Sequence, residues 1–276
     1  MAYGDKHFDR FIPELWSARL LANLDKTFVF PQCVNRDYEG EIRNFGDTVH
    51  INKFGDIQIG DYTRAAGVGD PADPGNGATV SLVIDQAKYF NFKVEDIEAV
   101  QANVALMEKA MQRAAYAIGD VIDQHIAAHV MDAGKVVQAD VTVDNAYDTL
   151  VGLKVEFNKL NIPAAGRFVV VPPEFLGLLE KDDRYTKYDA ADVKANGVRG
   201  RVAGFDIRES NNVVEQEGKF MIMAATDMAI SYAGQITKIE AYRPEKSFAD
   251  ACKGLYVFGS LVVEPQAMIR LEATFQ

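Results

Sequence analysis

The 276-residue chain reads as an α+β protein, and three stretches carry that reading. Residues 95–131 place apolar side chains in steps of three and four, the mark of a long amphipathic helix. Residues 46–94 alternate apolar and polar positions on either side of a turn-rich centre, the mark of a long two-stranded ribbon. From residue 166 onward, short strands of period two dominate, with one helix among them.

The helical stripe comprises Ile97, Val100, Val104, Met107, Met111, Ala114, Ile118 and Val121 or Ile122. Glu98, Gln101, Asn103, Glu108, Gln112 and Asp120 suit an outer face. No proline interrupts the run, and Gly134 stands past its end as a C-cap. About 37 residues at 1.5 Å each give a rod of about 55 Å. The usual globular helix has about 11 or 12 residues. A helix of the predicted length is a scaffold that other elements must cover.

In chain order, residues 1–12 form a polar arm, and Pro13 opens a short helix whose apolar positions are Leu15, Trp16, Leu20 and Leu24. Trp16 needs an apolar partner, on its own body or on a neighbouring subunit. Residues 28–34 are an extended apolar piece broken at Pro31. The ribbon goes out through Val49, Ile51, Ile57 and Ile59. It returns through Val80, Leu82 and Ile84, then Phe90, Phe92 and Val94. Its tip, Gly67-Val-Gly-Asp-Pro-Ala-Asp-Pro-Gly-Asn-Gly77, is dense in turn formers. No Lys-Ser/Thr follows the glycines, and Asp70 and Asp73 lack EF-hand spacing, so the tip is expected to be a mobile turn rather than a phosphate or calcium loop. A lone two-stranded ribbon is marginal in water, so it is expected to lie on another surface.

Beyond the helix, residues 136–143 read as a strand. Asp144 caps a helix over 145–160 whose inner side is Tyr147, Leu150, Val151, Val155 and Phe157. Residues 168–171 form a buried strand, and Pro172 and Pro173 start a helix continued by Leu176, Leu178 and Leu179. A charged surface loop covers 181–201. Strands follow at 205–209, 219–224 and 237–242, then a closing pair at 254–263 and 267–275. In the last strand Ile269, Leu271, Ala273 and Phe275 share one face.

Composition narrows function. A net charge of −11 with no Lys/Arg-rich block argues against a nucleic-acid-binding accessory. Cys33 and Cys252, far apart and unpatterned, read as buried thiols. The first residues lack the apolar core of a signal peptide, and no run of 18 apolar residues occurs, so cytoplasmic synthesis is expected. His125 and His129 stand at the i, i+4 spacing of a zinc protease, but Ile-Ala-Ala between them lacks the general-base Glu. Zinc needs three or four ligands, so a metal-dependent hydrolase on this pair is the enzyme alternative only. His7 and His50 join no pattern. Asp182-Asp183-Arg184 suits a solvated surface, and Met221-Ile-Met223 suits a core strand. No catalytic, cofactor-binding or metal-binding residue is assigned, and no cofactor is expected.

Several segments in this order carry a family resemblance. They are Ile12-Pro-Glu-Leu-Trp16, Gly46-Asp-Thr-Val-His-Ile51, Lys88-Tyr-Phe-Asn-Phe92, Ile162-Pro-Ala-Ala-Gly-Arg-Phe-Val-Val-Val-Pro172 and Gly204-Phe-Asp-Ile-Arg-Glu-Ser-Asn-Asn212. Together they resemble the major capsid proteins of tailed bacteriophages with the HK97 fold, in particular the P22-type coat branch. The resemblance implies an N-arm at 1–45, an extended β-hairpin E-loop at 46–94 and a P-domain with its spine helix at 95–165. It further implies an A-domain at 166–250 and P-domain closing strands at 251–276. It implies a structural protein of the virion rather than an enzyme. Pentamers and hexamers would close into an icosahedral shell around double-stranded DNA held without sequence-specific contacts. E-loop and N-arm contacts would join neighbours, scaffolding, portal and decoration proteins would be partners, and no membrane would be involved. Encapsulin-type nanocompartment shells share this fold. The chain has no room for the inserted domain of the P22-type coat. Residues 64–79 contain no lysine for the covalent cross-link that HK97 makes, so the shell is expected to depend on non-covalent contacts or a decoration protein.

Overall fold

The computed structural model describes residues 20, 23–24, 28–42, 44–52, 59, 62, 64, 79–95, 105–182, 200–245 and 249–275. The predicted helix is there as α1 (Ala105–Ala128), which at 1.5 Å per residue is about 36 Å long. It does not begin at Glu95, because Glu95 ends a strand; residues 96–104, with Ile97 and Val100, lie outside the described residues. Met111, Ile118 and Ile122 are buried as expected, joined by Ala115 rather than Ala114. Val121 turns outward. A 3-10 turn (His129–Asp132) ends the helix. Gly134 is not its C-cap: its N–H donates to the Pro265 carbonyl at 2.7 Å, and a Cβ there would sit 2.6 Å from that oxygen. Close approach, not a left-handed turn, requires the glycine.

Two larger sheets and a ribbon complete the fold. Strands β1 (Thr48–Asn52) and β2 (Thr79–Val83) pair antiparallel from Thr48↔Val83 to Asn52↔Thr79. Backbone bonds Gly46 N–H to Ile84 O and Ile84 N–H to Asp47 O close the base of the ribbon. The return strand of the predicted ribbon is therefore cut after Ile84. Its second half, β3 (Gln86–Glu95), leaves the ribbon for a three-stranded sheet ordered β10–β11–β3, where β10 is Ile230–Tyr242 and β11 is Ala249–Val262. The physical reason is Phe90 and Phe92, which need a larger core than a ribbon offers and pack against the main one. Gly254 lies opposite Phe90, and a Cβ there would meet the ring at 2.4 Å. The ribbon tip at 67–77 lies outside the described residues.

The seven-stranded sheet runs β4 (Lys135–Val141), β12 (Met268–Phe275), β9 (Lys219–Thr226), β5 (Arg167–Val171), β7 (Phe205–Glu209) and β6 (Arg201–Val202), with β8 (Val214–Gln216) on β9. The expected closing pair does not form. β11 pairs with β10 and β3, whereas β12 pairs parallel to β4 and antiparallel to β9. Both strands have an apolar face, and each satisfies it against a different layer of the core. In β12, Ile269, Leu271 and Ala273 are buried as read from the alternation.

Helix α2 (Ala146–Lys159) buries Ala146, Leu150, Leu153 and Phe157, while Val151 and Val155 are exposed. A 3.6-residue period passes through the first set; the two valines, one or two positions on, fall outside the stripe. Asn145, not Asp144, holds the N-terminal turn. Its amide accepts from Thr142 N–H and donates to the Asp140 carbonyl, both at 2.8 Å, a pair of roles a carboxylate cannot fill. Lys135 and Lys159 both bond Glu156 and hold its carboxyl down to about 2, tying α2 to β4. Strand β5 is buried at every position, and Pro172 and Pro173 start α3 (Pro173–Lys181) as expected. The guanidinium of Arg167 bonds the Pro163 and Ile162 carbonyls and the Asn158 amide oxygen, and lies 5.2 Å over the Phe157 ring. It fixes the turn between α2 and β5.

Gly259→Ala places a methyl 2.2 Å from the Val83 carbonyl oxygen and is expected to lower stability by about 1–3 kcal/mol in urea unfolding. Gly152→Ala, on exposed helix with nothing within 4 Å, is expected to raise it by about 0.5–1 kcal/mol.

Candidate assembly surface

The ribbon sits on the three-stranded sheet through a second, smaller core. Val49, Ile51, Leu82 and Ile84, with Ile42, pack on Ala233 of β10 and Val257 of β11, bordered by Tyr38, Leu255, Leu261 and Val263. Gly259 lets the backbone at Val83 come close. The opposite face carries His50, Asn52, Thr79 and Ser81, linked as His50 Nδ1–Ser81 Oγ at 3.0 Å and Thr79 Oγ1 to Asn52 Oδ1 at 3.2 Å. Beyond β1, Ile59 is 97% and Tyr62 71% exposed. Neither edge of the ribbon pairs with a further strand among the described residues. Unpaired edges and uncovered apolar side chains are what a contact surface leaves free in the single chain.

A second uncovered surface is the outer face of the three-stranded sheet. Tyr89 is 79% exposed on β3, the edge strand, and Ala87, Asn91 and Lys93 share its face. Alongside lie Lys253 of β11 and Glu240 of β10. Asn91 and Tyr242 exchange hydrogen bonds at 2.9 and 3.1 Å, and Lys253 lies 5.1 Å over the Tyr242 ring. Lys238 and Lys253 hold the Glu240 carboxyl down to about 2. This aromatic-bearing, charge-matched surface has the character of a wet interface rather than a core. On α1, Tyr116 is exposed as well.

His125 and His129 both pack against β11. His125 stands edge-on to Phe258 at 5.3 Å and to His129 at 5.6 Å, and burial pushes its pKa below the ordinary value. His129 uses Nε2 on Ser260 Oγ at 2.8 Å and Nδ1 on Asp132 at 3.3 Å. Both its nitrogens are engaged, and no group of three or more His, Cys, Asp or Glu stands together among the described residues. His125 joins α1 to β11, and His129 joins the following 3-10 turn to it. His7 lies outside the described residues. Asp182 is buried rather than solvated, while Asp183 and Arg184 lie outside the described residues. Met221 and Met223 are buried in β9, and Cys33 and Cys252 are buried free thiols that burial raises to about 11. No described helix is long and apolar enough to cross a membrane. The residue that the sequence reading missed is Asp123, a buried carboxyl on α1 bonded to the backbone of residues 29 and 30.

Comparison with known proteins gives this architecture a context. Residues 77–271 match a family model described as phage capsid protein. A solved structure described as Mycobacterium phage Che8 is 31% identical, with 88% of this chain and 90% of that chain covered at a TM-score of 0.68. The capsid of cyanophage P-SCSP1u is 15% identical, covering 90% of this chain and 89% of that one at a TM-score of 0.67. A virus-like particle from Pyrococcus furiosus is 14% identical, covering 94% and 99% at a TM-score of 0.58. The last two likenesses bear on the fold alone. No curated protein sequence matches.

Plasma mass spectrometry of the purified chain is expected to find no stoichiometric zinc. His129→Ala, by losing the Ser260 bond, is expected to lower stability by about 1 kcal/mol in urea unfolding.

Proposed function

The chain belongs to the phage capsid protein family, and from that premise we propose that its copies form pentamers and hexamers that close into an icosahedral shell around double-stranded DNA. It is a major capsid protein, a structural component of the virion shell, with the α+β, HK97-like fold of its family. The observation that carries the proposal is the family match over more than half the chain, joined to a ribbon whose edges pair with no further strand among the described residues and to exposed Ile59 and Tyr62. A ribbon of this kind gains stability by lying on a neighbour, and a stable interface buries about 1,600 Å².

In this reading residues 1–45 are the N-arm and 46–94 the E-loop; 95–165 and 251–276 form the P-domain, and 166–250 the A-domain. Strand pairing supports two refinements. β3 goes with α1 and the β10–β11 sheet, and β4 and β12 go with the A-domain sheet they extend. The absence of lysine from 64–79 favours non-covalent contacts between subunits. A net charge of −11 suits a container wall, because counterion release would otherwise bind packaged phosphate to it. Assembly takes place in the bacterial cytoplasm with scaffolding, portal and decoration proteins as partners.

Negative-stain electron microscopy with size-exclusion chromatography tests the reading. Wild-type protein is expected to give round shells or capsomer rings. The double substitution Ile59→Asp with Tyr62→Asp is expected to abolish them while leaving the urea midpoint unchanged, since both side chains are largely exposed. Shells that persist in that variant would remove the ribbon from the interface.

A further inference from the structure

Residues 28–35 cross the molecule as a strap. Phe28, Phe30, Cys33 and Val34 are buried in the main core. At the far end, Asn35 N–H donates to the carbonyls of Asp227 and Ile230 at 3.1 and 3.0 Å, and the Asn35 carbonyl accepts from Tyr232 N–H at 2.8 Å. Asp227 follows β9 and Tyr232 lies in β10, so the strap joins both sheets. Midway, Arg208 of β7 donates to the Gln32 side-chain oxygen at 3.2 Å. At the near end, the Val29 N–H donates to the two carboxyl oxygens of Asp123 at 3.3 and 3.2 Å, and the Phe30 N–H donates to Oδ1 at 3.1 Å. Asp123 is 3% exposed.

We propose that Asp123 is a proton-operated latch for this strap: the strap docks most firmly when the Asp123 carboxyl is protonated and loosens as that proton leaves. Docking is what strips water from the carboxyl, and burying an ionised carboxylate is costly unless a partner charge or enough hydrogen bonds compensate. The two backbone N–H groups compensate in part. Among the described residues, the other charged groups facing this region do not supply the missing positive charge. Asp120, one turn back on α1, adds repulsion, with its own oxygens held by Asn212 at 2.8 Å and Gln124 at 3.0 Å. On the strap, the Cys33 thiol is neutral. On β7, Arg208 bonds Gln32 and acts on Cys33, with Asp206 opposing it there.

Burial therefore prevails, raising the Asp123 carboxyl from 3.8 to about 7. The docked strap keeps the proton up to about pH 7, whereas a released strap returns the group to its ordinary value near 3.8. The contribution to docking is fully present below the lower value and is lost as pH rises through the upper one. Between them, each added pH unit weakens docking by up to about tenfold, and above the upper value the dependence is flat. The latch stands on the geometry of the single chain, so it does not fall if the pentamer-and-hexamer reading falls.

Hydrogen exchange of the full-length protein, read by mass spectrometry from pH 5 to 8 and corrected for intrinsic rates, tests this. Protection of the amides at 29 and 30 is expected to fall by roughly tenfold per pH unit up to about pH 7 and then level. Asp123→Asn, neutral throughout, is expected to give a flat profile, and Asp120→Asn to keep the slope. A flat wild-type profile, or a slope that survives in Asp123→Asn, overturns the proposal. Should Asp123→Asn fail to fold, carbon-13 NMR of the aspartate-labelled wild-type chain decides. One carboxyl with a midpoint near 7 supports the latch, and titration of every aspartate below pH 5 overturns it.

Discussion

Helix α1 packs against β3 of one sheet and β8 of the other, and neither sheet closes its inner face without it. Met111, Ala115, Ile118, Ile122 and Ile126 belong to one continuous buried cluster with Tyr256 and Phe258 of the three-stranded sheet and Ile222 and Leu271 of the seven-stranded one. Polar contacts then fix the register of this packing. His125 meets Phe258, His129 meets Ser260, and Asp120 meets Asn212. Burial of Met111, Ile118, Ile122 and Ile126 at about 1.5–3 kcal/mol each is the dominant favourable term at this junction. The polar contacts select one arrangement.

The strap and the β9–β10 turn are the covalent consequences of that arrangement. One chain segment leaves the seven-stranded sheet at Thr226 and enters the three-stranded sheet at Ile230, and residue 35 is bonded across the join. The two sheets are thereby held as a unit at the place where the N-terminal region meets the body. The ribbon is attached differently, through its own small core on Ala233 and Val257.

Charge is arranged to keep the surfaces wet. Glu156 and Glu240 each sit between two lysines, and such exposed pairs add little stability. Their role is to leave the outer sheet face and the α2–β4 edge charge-matched, while buried ionisable groups are few. Arg167 is matched by carbonyls, and Asp123, among the described residues, by two N–H groups.

The sequence by itself determined the type and place of the local elements. The unbroken run Phe168-Val-Val-Val171 could only be a strand buried on both faces. The alternation in 268–275 and the Pro172-Pro173 helix start followed from period and proline geometry. The family also followed, because several weak segments stood in the right order. Tertiary structure decided partnership. It cut the ribbon after Ile84, sent β11 and β12 to different sheets, assigned Gly134 to the Pro265 carbonyl and turned Val155 outward. It also buried Asp123, which on the helix reads as one more solvated carboxylate beside Ile122. Periodicity reports which face of an element is apolar. Which distant surface or backbone amide meets that face is a non-local contact, set only when the whole core closes.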